Sequence, residues 1–173
     1  NVVNLPGAEI PPALQSGAID AAEWVGPYND LAFGLYKSAK FHYYPGWHEP
    51  GSTLDGYVNL AAWEKLPADI KAIVEAAHKA ANQAMLSEFV ARNGASLRTL
   101  TGQHGVILKA FPDPVLAGLS GLSEQVLDGL AAADPQSRKV MDSLLAFRKE
   151  AAGWTRLSDQ AFTEARALGS WKD

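Results

Sequence analysis

Two carboxylates and a histidine stand among aromatic residues early in the chain. Glu23 adjoins Trp24, while His48 and Glu49 lie within Pro45-Gly46-Trp47-His48-Glu49-Pro50-Gly51. Hard carboxylate oxygens from two separate segments, joined by backbone carbonyls, suit a cation such as Ca²⁺ or Na⁺ better than zinc. His48 next to Glu49 also admits acid–base chemistry, as in a metal-assisted lyase or hydrolase with Glu49 or His48 as the base. Signatures that would strengthen an enzyme reading are absent: there is no HxxxH or HxH pair, no GxGxxG or GxxxxGK[ST] phosphate loop, and no cysteine nucleophile. His42, His78 and His104 are scattered along the chain.

Ten of the 16 aromatic residues fall between Trp24 and Trp63, the interval that begins directly after Glu23 and holds Glu49. Aromatic walls around a few fixed polar groups are how proteins commonly bind small molecules, because the rings exclude water while the polar groups orient the ligand. The same rings also read as the filling of a lobe core. Glu23 sits inside an apolar run, where a carboxylate must be paired, bound to a metal or turned to solvent. Strand alternation would send Trp24 to the opposite face, unless the chain bends at Gly26-Pro27.

These residues require elements to position them. A short helix is expected over 8–16, stopped by Gly17, then a buried strand over 18–25. Pro27 opens a helix reaching about Ala39, an aromatic strand follows at 41–44, and a further short strand at 57–60. Pro67 starts a long helix whose apolar positions Ile70, Ile73, Val74, Ala77, Ala81 and Ala84 recur at helical spacing, with Asn93-Gly94 as its stop. A strand at 106–111 precedes a helix ending near Asp134-Pro135. A second helix carries Val140, Leu144 and Phe147 and is interrupted at Gly153, and a last one runs to the C-terminus. The pattern predicts an α/β lobe with a small mixed sheet and a long helix over 1–112, and a helical region over 113–173 that packs on the lobe or on a partner subunit. Val140, Leu144, Phe147, Trp154, Phe162 and Trp171 supply apolar surface suited to an interface.

The composition bounds the possibilities. The 173 residues carry a net charge of −4, with 47% hydrophobic and 20% charged residues, which excludes a disordered tail and disfavours nucleic acid as a partner. The absence of cysteine leaves the redox compartment open. Asn1–Leu5, closed by Pro6-Gly7, reads as the end of a strand, so the sequence is expected to be a segment of a longer chain.

The blocks GAEIPPALQSGAIDAAEWVGPY and YYPGWHEPG, continued by VNLAAWEKLPADIKAIVEAA and MDSLLAFRKEAAGWTRLSDQAF, span nearly the whole chain. Together they resemble solute-binding proteins of tripartite ATP-independent periplasmic (TRAP) transporters, in the branch associated with 2-oxo acids and other small carboxylates. The resemblance implies one lobe of a two-lobe periplasmic binding protein, not an enzyme, that closes on a small organic acid and delivers it to membrane permease subunits. It aligns with the second half only, so the N-terminal half of the cleft is expected to be missing. It further implies a bridging cation, Na⁺ or Ca²⁺, held by Glu23 and the Trp24 carbonyl with Glu49, and a ligand surrounded by Trp24, Tyr28, Trp47 and His48. Backbone coordination by Trp24 removes the difficulty of opposite strand faces. The arginine that pairs with the ligand carboxylate in such proteins matches none of the arginines present. Some relatives of this kind form homodimers through C-terminal helices.

Overall fold

The computed structural model describes residues 1–49, 51 and 54–169. Pro50 of the proline-rich loop and Trp171 of the apolar set lie outside these residues. Two compact units divide between Phe111 and Pro112.

In the first unit a 3-10 turn, Gly7–Glu9, leads into α1, Ile10–Ser16, with prolines in its first turn where no amide hydrogen is needed. Gly17 ends it at φ 74°, a left-handed conformation that a side chain would resist. Residues 18–25 form no strand; they run as an irregular, largely exposed segment. No other strand of the described residues pairs with them, and an unpaired extended backbone keeps its polar groups in water. The same reason applies to residues 1–5 and 57–59, where strands were also expected. Asn59 instead caps α3, Leu60–Glu64, its side chain accepting from the Ala62 amide at 3.1 Å.

Gly26 at φ 151° turns the chain into α2, Pro27–Phe33, which closes at Gly34 and continues as a 3-10 turn through Lys37. Strand β1, Phe41–Tyr44, pairs in parallel with β2, Ile107–Ala110, in the register Phe41 to Ile107 through Tyr44 to Ala110. The expected mixed sheet is therefore a two-stranded parallel pair among the described residues. Between the strands, α4 runs from Ala68 to Gly102, 35 residues with Asn93 and Gly94 inside it. The expected stop fails because the Asn93 side chain bonds another element: its Oδ1 accepts the Tyr28 amide hydrogen at 3.0 Å, fastening α2 to α4. Ile10, Leu100 and Val106 are buried in this unit, together with Ser96 and Asp30.

The second unit holds α5, Asp113–Ala133, and α6, Pro135–Thr155, packed on each other with Ala131 and Met141 buried. Asp134 caps α6 by accepting from the amides of Gln136 and Ser137 at 2.8 and 2.9 Å. The Ser137 hydroxyl first, and then those amide bonds, hold its carboxyl below the usual range. Gly153 does not interrupt α6. The chain passes through a π-helical turn at Arg156–Gln160 into α7, Ala161–Ala167. No helix among the described residues is long and apolar enough to cross a membrane.

Candidate functional site

Glu23 comes from the irregular segment between α1 and α2, and His48 and Glu49 from the loop after β1. One ligand atom from each lies within 4.8 Å of the others, and all three residues are exposed. Two loops distant in sequence thus deliver two carboxylates and an imidazole to one point. Each loop is short on the side of its anchoring element: Glu23 precedes Pro27 by four residues, and His48 follows Tyr44 by four.

Trp24 is half-buried beside this cluster. Its indole packs against Phe33 at 4.8 Å between ring centroids and lies over Gly7. Its Nε1 is buried with no hydrogen-bond partner among the described residues, and the same holds for Asn29 Oδ1. A buried donor without a partner is uncommon in native proteins. Trp47 is exposed, its ring 4.8 Å from that of His48. Tyr28 turns elsewhere. Its hydroxyl donates to Glu88 at 3.0 Å, its ring meets Phe89 edge-on, and the Arg92 guanidinium lies over it. Of the six residues singled out in the sequence, the structure gathers Glu23, His48 and Glu49, sets Trp24 and Trp47 beside them, and engages Tyr28 with α4.

One feature escaped the sequence reading as a pair. Asp30 on α2 is buried, and its Oδ2 lies 3.4 Å from Nδ1 of His42 on β1. Burial raises the Asp30 carboxyl above its ordinary value, His42 and the Gly26 backbone draw it back, and the Glu23 charge pushes it up again. Alternation along β1 does not single out His42, because Tyr44 shares its face and is exposed; the inward position of His42 is seen only in the structure.

The chain has extensive similarity to known proteins. Residues 1–134 match the DctP family, bacterial extracellular solute-binding protein family 7. A monocarboxylate 2-oxoacid-binding periplasmic protein of Nostoc sp. is 43% identical over 163 residues, 94% of this chain and 44% of the relative. A TRAP transporter solute-binding protein from Bordetella bronchiseptica superposes with a TM-score of 0.90 at 34% identity, covering 96% of this chain and 49% of that one. Its crystal structure is a mixed-occupancy dimer with copurified calcium and picolinate in one site and the other site apo. A TRAP periplasmic solute-binding protein from Colwellia psychrerythraea, with bound calcium and pyruvate, superposes at 0.88 with 36% identity, covering 94% of this chain and 50% of that one. The chain spans about half the length of each of these relatives.

Proposed function

The chain belongs to the DctP family of bacterial extracellular solute-binding proteins, and on that premise we propose that it supplies one side of a periplasmic cleft for a small 2-oxo acid or related carboxylate. In this reading Glu23, Glu49 and the Trp24 carbonyl hold a Ca²⁺ ion. The observation that carries it is the convergence of Glu23 and Glu49 with His48 inside 4.8 Å. Two oxygens on one Ca²⁺, each at about 2.3–2.6 Å, can stand no more than about 5 Å apart, so the cluster accommodates the ion without refolding. Two carboxylates and a carbonyl form a hard donor set, and the imidazole is its least suitable member for calcium. Bound there, the ion supplies positive charge that a ligand carboxylate can share.

Trp24 and Trp47 then give the ligand apolar walls, and His48 a polar contact at the rim. Tyr28 serves the site through α2, which it pins to α4. The remaining walls come from a partner lobe closing over this one, as in other two-lobe binding proteins. The protein binds and releases its ligand without chemical change and passes it to membrane permease subunits. The relatives' bound calcium, pyruvate and picolinate support the ligand class.

Calorimetry of the protein with Ca²⁺ and pyruvate tests the assignment. Each is expected to strengthen the other's binding, and Glu23→Gln to weaken both, because linkage between two bound species is reciprocal. Proton NMR of the same mixture is expected to show pyruvate unconsumed. Pyruvate affinity indifferent to both chelator and Glu23→Gln would defeat the cation-bridged site, and turnover would defeat the receptor reading.

A further inference from the structure

The two loops that carry the proposed cation ligands spring from different parts of the first unit. Glu23 is tethered to α2, which packs on α4; His48 and Glu49 are tethered to β1, which pairs with β2. The Asp30 carboxylate and the His42 imidazole, 3.4 Å apart, form a polar contact that joins these two assemblies. Asp30 is only 9% exposed, a costly location for a carboxylate that no helix cap or surface pair requires. Asp30 also begins at a fixed point of its own helix, its amide donating to Gly26 O at 2.8 Å. The Asp30 side chain is therefore registered to the backbone three residues after Glu23.

We infer that the Asp30–His42 pair positions the cation ligands, holding the Glu23 loop and the His48-Glu49 loop at the separation one ion can bridge. The inference rests on the cation reading given above. Neither residue touches the ion; both act through the elements that bear its ligands. A polar contact linking two supports has this effect because a ligand displaced by a fraction of an ångström no longer matches the short metal–oxygen distances, and loss of such outer contacts typically costs about 10-fold or more in metal affinity. Asp30 adds a long-range contribution of the same sign, since its negative charge lies close enough to Glu23 for the two to repel, and a cation relieves that repulsion.

Terbium is the probe: Tb³⁺ occupies calcium-type oxygen sites, and its emission is sensitised by a nearby indole such as Trp24. Titrations compare the wild-type protein with Glu23→Gln, Asp30→Asn, His42→Ala and His42→Asn, with thermal unfolding followed on each sample. If wild-type protein shows no sensitised binding, or Glu23→Gln binds like wild type, the cation site itself is wrong and the inference falls with it. If Glu23→Gln loses binding, the site stands and the brace is judged separately. The expected result is an apparent Kd raised about 10-fold in Asp30→Asn and in His42→Ala. His42→Asn, which keeps an N–H donor where Nδ1 stood, is expected to return most of the affinity. Should Asp30→Asn fail to fold, the His42 pair of variants decides alone. Wild-type affinity in His42→Ala, or equal loss in His42→Ala and His42→Asn, overturns the inference; a lowered Tm with unchanged Tb³⁺ affinity would show a merely structural contact and overturns it as well.

Discussion

A Cβ atom placed on Gly7 would stand 2.7 Å from Cη2 of Trp24, so the indole rests directly on the backbone of the 3-10 turn that precedes α1. The glycine is needed for that close approach and not for an unusual φ. Because Trp24 also packs on Phe33, the ring has little freedom to yield. Gly7→Ala is expected to cost about 1–3 kcal/mol, the usual range for overpacking a fitted contact. Urea unfolding measures the loss, and weakened Ca²⁺ binding in the same variant would show that the Trp24 carbonyl moves with its ring. Unchanged stability would mean that the indole slides aside freely.

His48 lies in the cluster with Glu23 and Glu49, yet calcium favours oxygen donors. His48→Ala is expected to leave Ca²⁺ affinity within roughly threefold, while affinity for an imidazole-seeking ion such as Zn²⁺ falls by about an order of magnitude or more. Glu49→Gln is expected to reverse that order. Competition titrations with the two ions on both variants make the comparison, and equal sensitivity of Ca²⁺ to the two substitutions would assign His48 a place in the calcium shell.

The short strand and the helices were legible where local chemistry decides. Phe41–Tyr44 emerged with the expected limits because three β-favouring aromatic residues in four run into the loop-formers Pro45-Gly46, and Pro27, Pro67 and Asp134 opened helices for the reasons their backbone or side chain supplies. Asn93-Gly94 misled because a helix stop is a weak local signal beside the bond from Asn93 to Tyr28, residues 65 apart in sequence. Residues 18–25 carry a strand-like pattern but no pairing partner among the described residues, and pairing is a property of the sheet, not of the segment. The meeting of Glu23 with Glu49 came from family resemblance; spacing in a single sequence does not bring two loops together. His48 was placed near the ligand on the same grounds, and its nitrogen lying among the carboxylates is visible only in three dimensions.

Val140, Phe147 and Trp154 recur every seven residues along α6 and are 59%, 70% and 70% exposed. A seam of that period on a helix continuous past Gly153 suits association with a second helix. We expect the protein to dimerise through α6 and α7, and the double variant Phe147→Lys with Trp154→Lys to run as a monomer. Light scattering coupled to gel filtration gives the mass, and circular dichroism confirms that helix content is kept. A folded double variant that stays dimeric would locate the interface elsewhere.

Asp30 also gives a pH dependence whose sign follows from its surroundings. Burial holds its carboxyl above the ordinary value, and Glu23 adds to the rise, while His42 and the Gly26 backbone oppose it. An acid with a raised value in the fold binds its proton more tightly there than in the unfolded chain. Stability from this group is therefore greatest below the unfolded value near 3.8 and declines as pH rises through the folded value. Replacement by Asn removes the titration, so the stability of Asp30→Asn relative to wild type is expected to improve as pH rises from the unfolded value near 3.8 through the folded value, and to level off above it. Urea midpoints for both proteins across that window, in chelator so that cation binding does not contribute, test the sign. A difference independent of pH would mean that Asp30 ionises as it does in water. A difference of opposite slope would mean that His42, charged beside it, outweighs burial. Coupled with the Tb³⁺ titrations, the expected pattern is a variant whose stability relative to wild type is better at neutral than at acidic pH while its cation affinity is lower, because the buried charge is costly to the fold and serves the site.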